Sequence, residues 1–472
     1  MSLALLIDFG STYTKVSVVD LDQETIVATA RARTTVEKNI MEGLLQAKDK
    51  AEQQLGCQPE YKYKLACSSA AGGLRIVAVG LVKDLTVEAA KQAALGAGAR
   101  VLGVYAHELS IQEINEIESA KPEIVLLAGG TDGGNKDVIL HNARMMAESI
   151  VKPTIIVAGN KVVAEEAKQI LTKAGKEALI TENVLPELEK LNVIPARRLI
   201  RQVFLETIIA AKGLKRAEAF IERILMPTPA AVLNAAQLLS TGCEGEQGLG
   251  DLVVVDIGGA TTDVHSLAEG LPTRSGVSYR GLPQPFAKRT VEGDLGMRVS
   301  ATSLLETINQ KEFEKLTNVH IDRVKKYIND VHNNYSLLPQ DEEELKIETA
   351  MATYCAGMAV ERHVGTLEVV WTPFGASYVQ HGKDLTETPY VIGTGGVIVE
   401  HSQPKEILQS TLFNEEDPTL LKPRKPEFLL DESYIMASMG LLAEVEPEKS
   451  LRIMKKYIVS IQELGVRSQN SQ

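Results

Sequence analysis

Two stretches, one in each half of the chain, carry nearly the same pattern. They are Leu5-Leu6-Ile7-Asp8-Phe9-Gly10-Ser11-Thr12-Tyr13-Thr14-Lys15-Val16 and Val253-Val254-Val255-Asp256-Ile257-Gly258-Gly259-Ala260-Thr261-Thr262-Asp263-Val264. Each is an apolar run that ends in Asp, passes through a glycine turn with small hydroxylated residues, and returns through β-branched residues. That pattern predicts a tight hairpin. Its tip offers backbone N–H groups, hydroxyls and one carboxylate at the mouth of a sheet. A chain that presents this hairpin twice is expected to contain two related α/β lobes.

Composition limits what those lobes serve. The 472 residues exceed a single ordinary core, so two or three domains are expected. The 50 basic and 62 acidic residues leave a net charge of −12, which argues against nucleic acid as the main partner. Cys57, Cys67, Cys243 and Cys355 are too scattered for a disulfide framework or a zinc site. The apolar run at the N-terminus stops at Asp8, too short for a signal peptide, and no apolar stretch is long enough to span a membrane. A cytoplasmic protein is expected.

Periodicity places the elements. Residues 3–30 read as a meander of short strands, 37–55 as a helix, and 63–68 as a strand entering the run Ser68-Ser69-Ala70-Ala71-Gly72-Gly73. An alanine-rich helix is expected over 86–99, and buried strands over 123–130 and 153–158. Residues 195–242 read as largely helical, with Pro229 suited to a first helical turn. After a glycine-rich linker the second lobe repeats the order of the first. Its late strand, Pro389-Tyr390-Val391-Ile392-Gly393-Thr394-Gly395-Gly396, reads as the counterpart of Leu126–Gly130. The expected division is 1–245 for the first lobe with a helical extension and 246–404 for the second with a helical insertion at 305–350. Residues 405–472 form a C-terminal linker and helical segment.

The hairpins suit phosphate chemistry. Glycine lets the backbone approach a phosphate, Ser11, Thr12, Thr14, Thr261 and Thr262 supply hydroxyls, and Lys15 adds a point charge. Asp8 and Asp256 are placed to hold a magnesium ion. With Gly10, Gly258, Gly259, Gly393, Thr394, Gly395 and Gly396, this constellation resembles the actin, Hsp70 and sugar-kinase superfamily. That superfamily has two phosphate loops and an adenosine loop, here matched by 8–15, 256–263 and 392–396. The resemblance implies a two-lobed actin-like ATPase fold, with duplicated ribonuclease H-like lobes and helical insertions, that closes around ATP and Mg²⁺. It does not choose among kinase, filament, chaperone and activator.

Further runs narrow the choice. Cys67-Ser68-Ser69-Ala70-Ala71-Gly72-Gly73-Leu74-Arg75, residues 126–135, Met226-Pro227-Thr228-Pro229-Ala230-Ala231-Val232 and residues 288–298 are similar to the glutamate mutase accessory protein family. That family is named MutL or GlmL and is unrelated to the mismatch-repair protein. The similarity covers most of residues 3–400 and weakens in 305–350 and after 405. It implies a partner among adenosylcobalamin-dependent mutases and aminomutases acting on glutamate, ornithine or lysine. By analogy with diol dehydratase reactivases, it implies ATP-driven release of damaged cobalamin by a slow ATPase. A homo-oligomer or a second reactivase subunit stays open. The D-x-H-x-x-G pattern of many cobalamin proteins is absent, so the chain is expected to act on the cobalamin-binding partner.

Some residues keep more than one reading. In the loop 129–135, Asp132 is a general base for a substrate hydroxyl in a kinase, or with Asn135 a water-positioning group in an ATPase, or part of a sharp glycine turn. Glu292 and Asp294 complete the magnesium shell or belong to a solvated loop. Lys288, Arg289 and Arg298 reach phosphate or pair with these carboxylates. Residues 68–73 form an anion nest or a close strand-to-helix packing.

Overall fold

The computed structural model describes residues 2–10, 13–34, 40–69, 74–211, 223–373 and 375–462. It divides into two compact units. One comprises Met1–Asp22, Ile26–Ala231 and Gly281–Pro285, the other Gln23–Thr25, Val232–Arg280 and Phe286–Gln472.

The first unit holds two sheets. Strands β1 (Leu3–Phe9), β2 (Tyr13–Asp20), β3 (Thr25–Arg33), β4 (Tyr61–Ser68) and β10 (Arg223–Pro227) form a sheet of order β10-β4-β1-β2-β3. β1 runs antiparallel to β2 and parallel to β4, and β10 is parallel to β4. Strands β5 (Arg75–Gly80), β6 (Arg100–Ala106), β7 (Ile124–Leu127), β8 (Thr154–Val157) and β9 (Ala178–Ile180) form a separate, all-parallel sheet of order β6-β5-β7-β8-β9. Both its faces are covered, as an all-parallel sheet requires. Ile76, Ala78, Leu126 and Ile156 pack in one core with Ile200 and Phe204 of helix Val193–Ala211. Val77, Val79, Val125 and Val157 pack in the other with Ile117, Ile139 and Leu171 of the crossover helices.

This division of the first unit into two sheets is not visible in the strand pattern. Apolar runs mark buried strands but do not say which sheet they join. The expected helix over 86–99 is present as Glu88–Gly96, preceded by a π-helical turn over Lys83–Val87. The helical reading of 195–242 holds for Val193–Ala211 and Thr228–Thr241, with β10 lying between them.

The second unit holds a short ribbon of β11 (Gly242–Cys243) and β12 (Glu246–Gln247) and then repeats the first sheet. β13 (Leu252–Ile257) is antiparallel to β14 (Thr262–Leu267) and parallel to β19 (Tyr390–Thr394). With β16 (Ala287–Glu292), β20 (Glu427–Asp431) and β21 (Ile458–Ser460) the order is β16-β14-β13-β19-β20-β21. β19 therefore occupies the place of β4, not of Leu126–Gly130, and β20 the place of β10. The repeated hairpin-plus-parallel-strand order is the duplicated-lobe, actin-like fold expected from the two hairpins. Helices Ala301–Thr307, Ile321–Asn333 and Glu342–His363 cover Val253, Val255 and Ile257.

The unit boundary at Ala231/Val232 falls inside helix Thr228–Thr241, earlier than the expected division at 245. Residues 405–462 carry β20 and β21 of the second unit's sheet, which the expected linker and helices did not include. A smaller sheet, order β15-β18-β17, is built from β15 (Val277–Arg280), β17 (Thr366–Thr372) and β18 (Gly375–His381). Among the described residues no helix is long and apolar enough to cross a membrane.

Candidate functional site

In the first hairpin Asp8 lies opposite Lys15, and Phe9 opposite Thr14. Directly opposed residues share a sheet face, so Asp8 and Lys15 project to one side and Thr14 to the other. Thr14 is fully buried, with its hydroxyl 3.1 Å from that of Thr34, which donates to the Gly10 carbonyl at 2.9 Å. Thr14 thus braces the turn from behind and does not join Asp8. The turn is narrow, since a Cβ on Gly10 would lie 2.5 Å from the Tyr13 carbonyl oxygen. Ser11 and Thr12, expected to meet phosphate, lie outside the described residues, as do Ala70–Gly73.

Asp8 is 7% exposed and accepts from Thr228 Oγ1 at 2.5 Å and from Cys67 Sγ at 3.5 Å. Cys67 follows from the parallel pairing of β1 with β4, which sets it beside Asp8. Burial, and then the Asp8 carboxylate, push the Cys67 thiol well above its ordinary pKa, so it remains a donor. Thr228 opens the helix that follows β10. The run Met226-Pro227-Thr228-Pro229 therefore serves to present one hydroxyl to the first hairpin. The sequence marks that run but not this contact.

In the second hairpin Asp256 lies opposite Asp263, on the same face. Asp263 takes Arg289 Nε at 2.6 Å on Oδ1 and the Thr261 hydroxyl at 3.0 Å on Oδ2. Both Asp263 and Arg289 are nearly buried. Arg289 therefore neutralises the second carboxylate of the hairpin, a partner other than the Glu292 and Asp294 expected for it. The turn itself is pinned from one side. Gly258 O accepts from Met297 N at 3.1 Å, and Gly259 O from Arg298 N at 2.8 Å and Val299 N at 2.7 Å. Thr262 turns inward and donates to the Leu295 carbonyl at 2.7 Å.

The third glycine segment meets this hairpin. Pairing of β13 with β19 sets Thr394 beside Asp256. Gly395 has φ +92°, and a Cβ there would lie 2.9 Å from Asp256 Oδ1 and 2.4 Å from the Ile257 carbonyl oxygen. The close approach and the left-handed backbone both require glycine. Gly396 is different, because a Cβ there meets nothing within 4 Å. Gly393 packs under Ile398, and the Thr394 hydroxyl donates to buried Asp431 at 2.9 Å. Thr394 thus anchors the segment while Gly396 borders open space.

The remaining candidates are engaged in internal pairs. Glu292 and Asp294 both hold Arg362 Nη1, at 2.7 and 2.9 Å. Hydrogen bonding to Asp294, and then to Glu292, holds the Arg362 pKa above its ordinary value. Lys288 Nζ donates to the His363 carbonyl at 2.6 Å, and Arg298 pairs with Glu348. Asp132 follows β7, in the other sheet of the first unit from Asp8. Its Oδ1 accepts from Asn183 Nδ2 at 3.0 Å and Lys161 N at 3.1 Å, and Lys161 Nζ lies 3.3 Å from Oδ2. Partial burial works against its ionisation, but Asn183 and Lys161 outweigh it and hold the carboxyl below its ordinary pKa. Buried Asn160 clamps the same loop through Gly133 N, Gly134 O and Asn135 O.

A profile of the family described as MutL protein matches residues 4–458. Protein MutL of Clostridium tetanomorphum is 54% identical over 465 residues, spanning 98% of this chain and all of that protein. Among solved structures, component A of (R)-2-hydroxyglutaryl-CoA dehydratase from Acidaminococcus fermentans aligns with 97% of this chain and 99% of its own, at 10% identity and TM-score 0.31. Xylulose kinase from Bifidobacterium adolescentis aligns over 96% and 93%, at 13% identity and TM-score 0.32. The activator of 2-hydroxyisocaproyl-CoA dehydratase from Clostridium difficile, with bound ADPNP, aligns over 98% of each chain at 9% identity and TM-score 0.30. The repeated strand order within this chain, rather than these overlays, carries the fold assignment. The chain belongs to the MutL protein family.

Proposed function

We propose that this protein is an ATP-dependent reactivating factor for an adenosylcobalamin-dependent mutase, with glutamate mutase as the first partner to test. Ornithine and lysine aminomutases follow. The observation that carries the reading is the hairpin repeated in each unit, with a carboxylate at each turn and Gly395 pressed against Asp256. Membership of the MutL family supplies the partner class.

Mg·ATP fits the donor set. Asp8 and Asp256 are hard oxygen ligands for magnesium, directly or through its waters, and the glycine turns suit phosphate oxygens. Gly396 leaves room for a nucleoside. When bound, Mg·ATP supplies the free energy for cofactor exchange. The chain's own residues divide the rest of the work. Thr228 and Cys67 orient the Asp8 carboxylate, Arg289 neutralises Asp263 so that Asp256 carries the hairpin's charge, and Lys15 adds a cation. Glu292 is a second-rank metal candidate because Arg362 already holds it.

A kinase using Asp132 as base is less well supported. Its carboxylate is held by Asn183 and Lys161, and a lowered pKa makes it a weaker proton acceptor. A water-positioning role for Asp132 is compatible with the same clamping. We place the protein in the cytoplasm with its partner enzyme, with slow ATP hydrolysis, and retain an ATP-regulated scaffold as the remaining reading.

The test is reactivation. Glutamate mutase inactivated by turnover should regain activity with this protein, Mg·ATP and fresh adenosylcobalamin together. Omitting ATP, or using Asp256→Ala, should leave it inactive. Equal recovery in every mixture would remove ATP from the mechanism. Failure with glutamate, ornithine and lysine enzymes alike would return the kinase reading to first place.

A further inference from the structure

The small sheet of the second unit presents an apolar face and an open edge. Trp371, the single tryptophan of the chain, is 80% exposed, Val369 47% and Tyr378 42%. The antiparallel register sets Val369 opposite Tyr378 and Trp371 opposite Ala376, so these side chains share one face. β17 is the edge strand. From Thr366 to Thr372 it has neither lysine nor proline, the residues that commonly protect such an edge.

The outer edge is occupied at its start only. Leu367 N donates to the Thr419 carbonyl at 2.8 Å, and Thr366 bridges to Leu420. Because N–H and C=O groups alternate in direction along a strand, those of Val369 and Trp371 point outward with Leu367. Among the described residues no strand pairs with β17 beyond that point.

We infer that this edge pairs antiparallel with the same strand of a second copy, about a two-fold axis at Val370. In that register Val369 lies opposite Trp371 of the second copy, twice over. Each such pair exchanges two backbone hydrogen bonds through groups that already point outward. Each is also an aromatic-to-β-branched pair, a favourable cross-strand combination. Glu368 faces Thr372, so no like charges meet, and the pairing ends there because the next pair would set Leu367, whose edge Thr419 fills, against Pro373.

The neighbouring registers fail. Centring on Val369 sets Trp371 against Leu367, whose edge Thr419 already fills. Centring on Trp371 sets Val369 against Pro373, which has no N–H to give. Charge favours self-pairing here as well. On a chain of net charge −12, the hairpin carries only Glu368, and His381 sits 3.1 Å from it. Two copies therefore meet little like-charge repulsion along this strand.

Trp371 is a built-in reporter. Sedimentation equilibrium across the micromolar range should show a mass of two chains at the upper end. Tryptophan emission should shift to shorter wavelength in step. Val369→Lys should remain a single chain with unshifted emission, while the dilute variant keeps the thermal midpoint of the dilute parent. In a Cys57→Ser background, Val370→Cys should form an intermolecular disulfide on mild oxidation, because the axis sets the two residues directly opposite, whereas Thr366→Cys should not. A parent protein that stays single throughout, or one that assembles only when a mutase is added, would overturn the inference. So would a Val369→Lys dimer, or crosslinking at Thr366 in place of Val370. None of these outcomes depends on ATP or on the reactivation reading.

Discussion

Thr228 Oγ1 donates a 2.5 Å hydrogen bond to Asp8 Oδ1 across 220 residues of sequence. The junction of β10 with the next helix therefore fixes the carboxylate of the first hairpin. Thr228→Val removes the donor and keeps the side-chain shape. A hydrogen bond to a charged group is worth about 1.5–3 kcal/mol, so Mg·ATP affinity should fall about tenfold or more. Thr228→Ser should retain it. Titration calorimetry of the two variants checks this, and equal affinity in both would show that Asp8 needs no such support.

Two adjacent glycines should respond oppositely. Gly396→Val places a side chain in open space and should weaken nucleotide binding while leaving the thermal midpoint unchanged. Gly395→Ala forces a Cβ at φ +92° against the Ile257 carbonyl oxygen and should destabilise the fold by about 1–3 kcal/mol. Thermal melts with and without ATP separate the effects. A folding defect in Gly396→Val would make that segment a packing turn.

Stability should depend on acid. His265 and His363 are fully buried, and burial drives the pKa of His265 down to about 3 and that of His363 well below its ordinary value. Both folded-state values lie below the unfolded value near 6.5, so the unfolded chain binds more protons in acid. Their contribution is complete above about pH 6.5 and is lost as pH falls, by about 1.4 kcal/mol per unit for each histidine. Among the described residues neither ring nitrogen of His265 has a hydrogen-bond partner. His265→Leu should therefore give a shallower decline in urea midpoint between pH 7 and pH 5. An unchanged slope would assign the acid sensitivity elsewhere.

Arg197 lies half-buried against Gly96, its buried Nε without a hydrogen-bond partner among the described residues and one guanidinium nitrogen 3.5 Å from the Gln92 carbonyl. Burial alone lowers its pKa to about 10. A desolvated cation with no carboxylate partner among the described residues is costly, and apolar replacement of buried charge is often neutral or stabilising by about 1–4 kcal/mol. Arg197→Met should raise the thermal midpoint. A lower midpoint would mean that the stem packing and the Gln92 contact outweigh desolvation.

Much of this was legible in the sequence because the hairpins are local. Leu5–Val16 and Val253–Val264 carry their strand pattern, turn glycines and carboxylates within a dozen positions, and both fold as expected over their described residues. Tertiary choices were less visible. The pattern of Ile124–Leu127 marks a buried strand but not the separate sheet it joins, and β10 is hidden between two helices. The hydroxyls of Thr14, Thr262 and Thr394 suit phosphate by type, yet strand alternation turns each toward an internal acceptor. Asp263 and Arg289 are paired by β14 and β16, a relationship that needs the register. The signal for Thr228 was its place beside Pro229 at a helix start, but its bond to Asp8 exists only once β10 lies beside β4.

The most direct measurement is titration calorimetry of Mg·ATP into the parent protein, Asp8→Asn and Asp256→Asn, each with a matched EDTA control. Both substitutions preserve shape and remove the charge that holds magnesium. The parent should bind ATP in a magnesium-dependent way, and each variant should lose that dependence together with most of the affinity. Parent-like, magnesium-dependent binding in either variant would contradict the assignment of that hairpin carboxylate to magnesium and nucleotide binding.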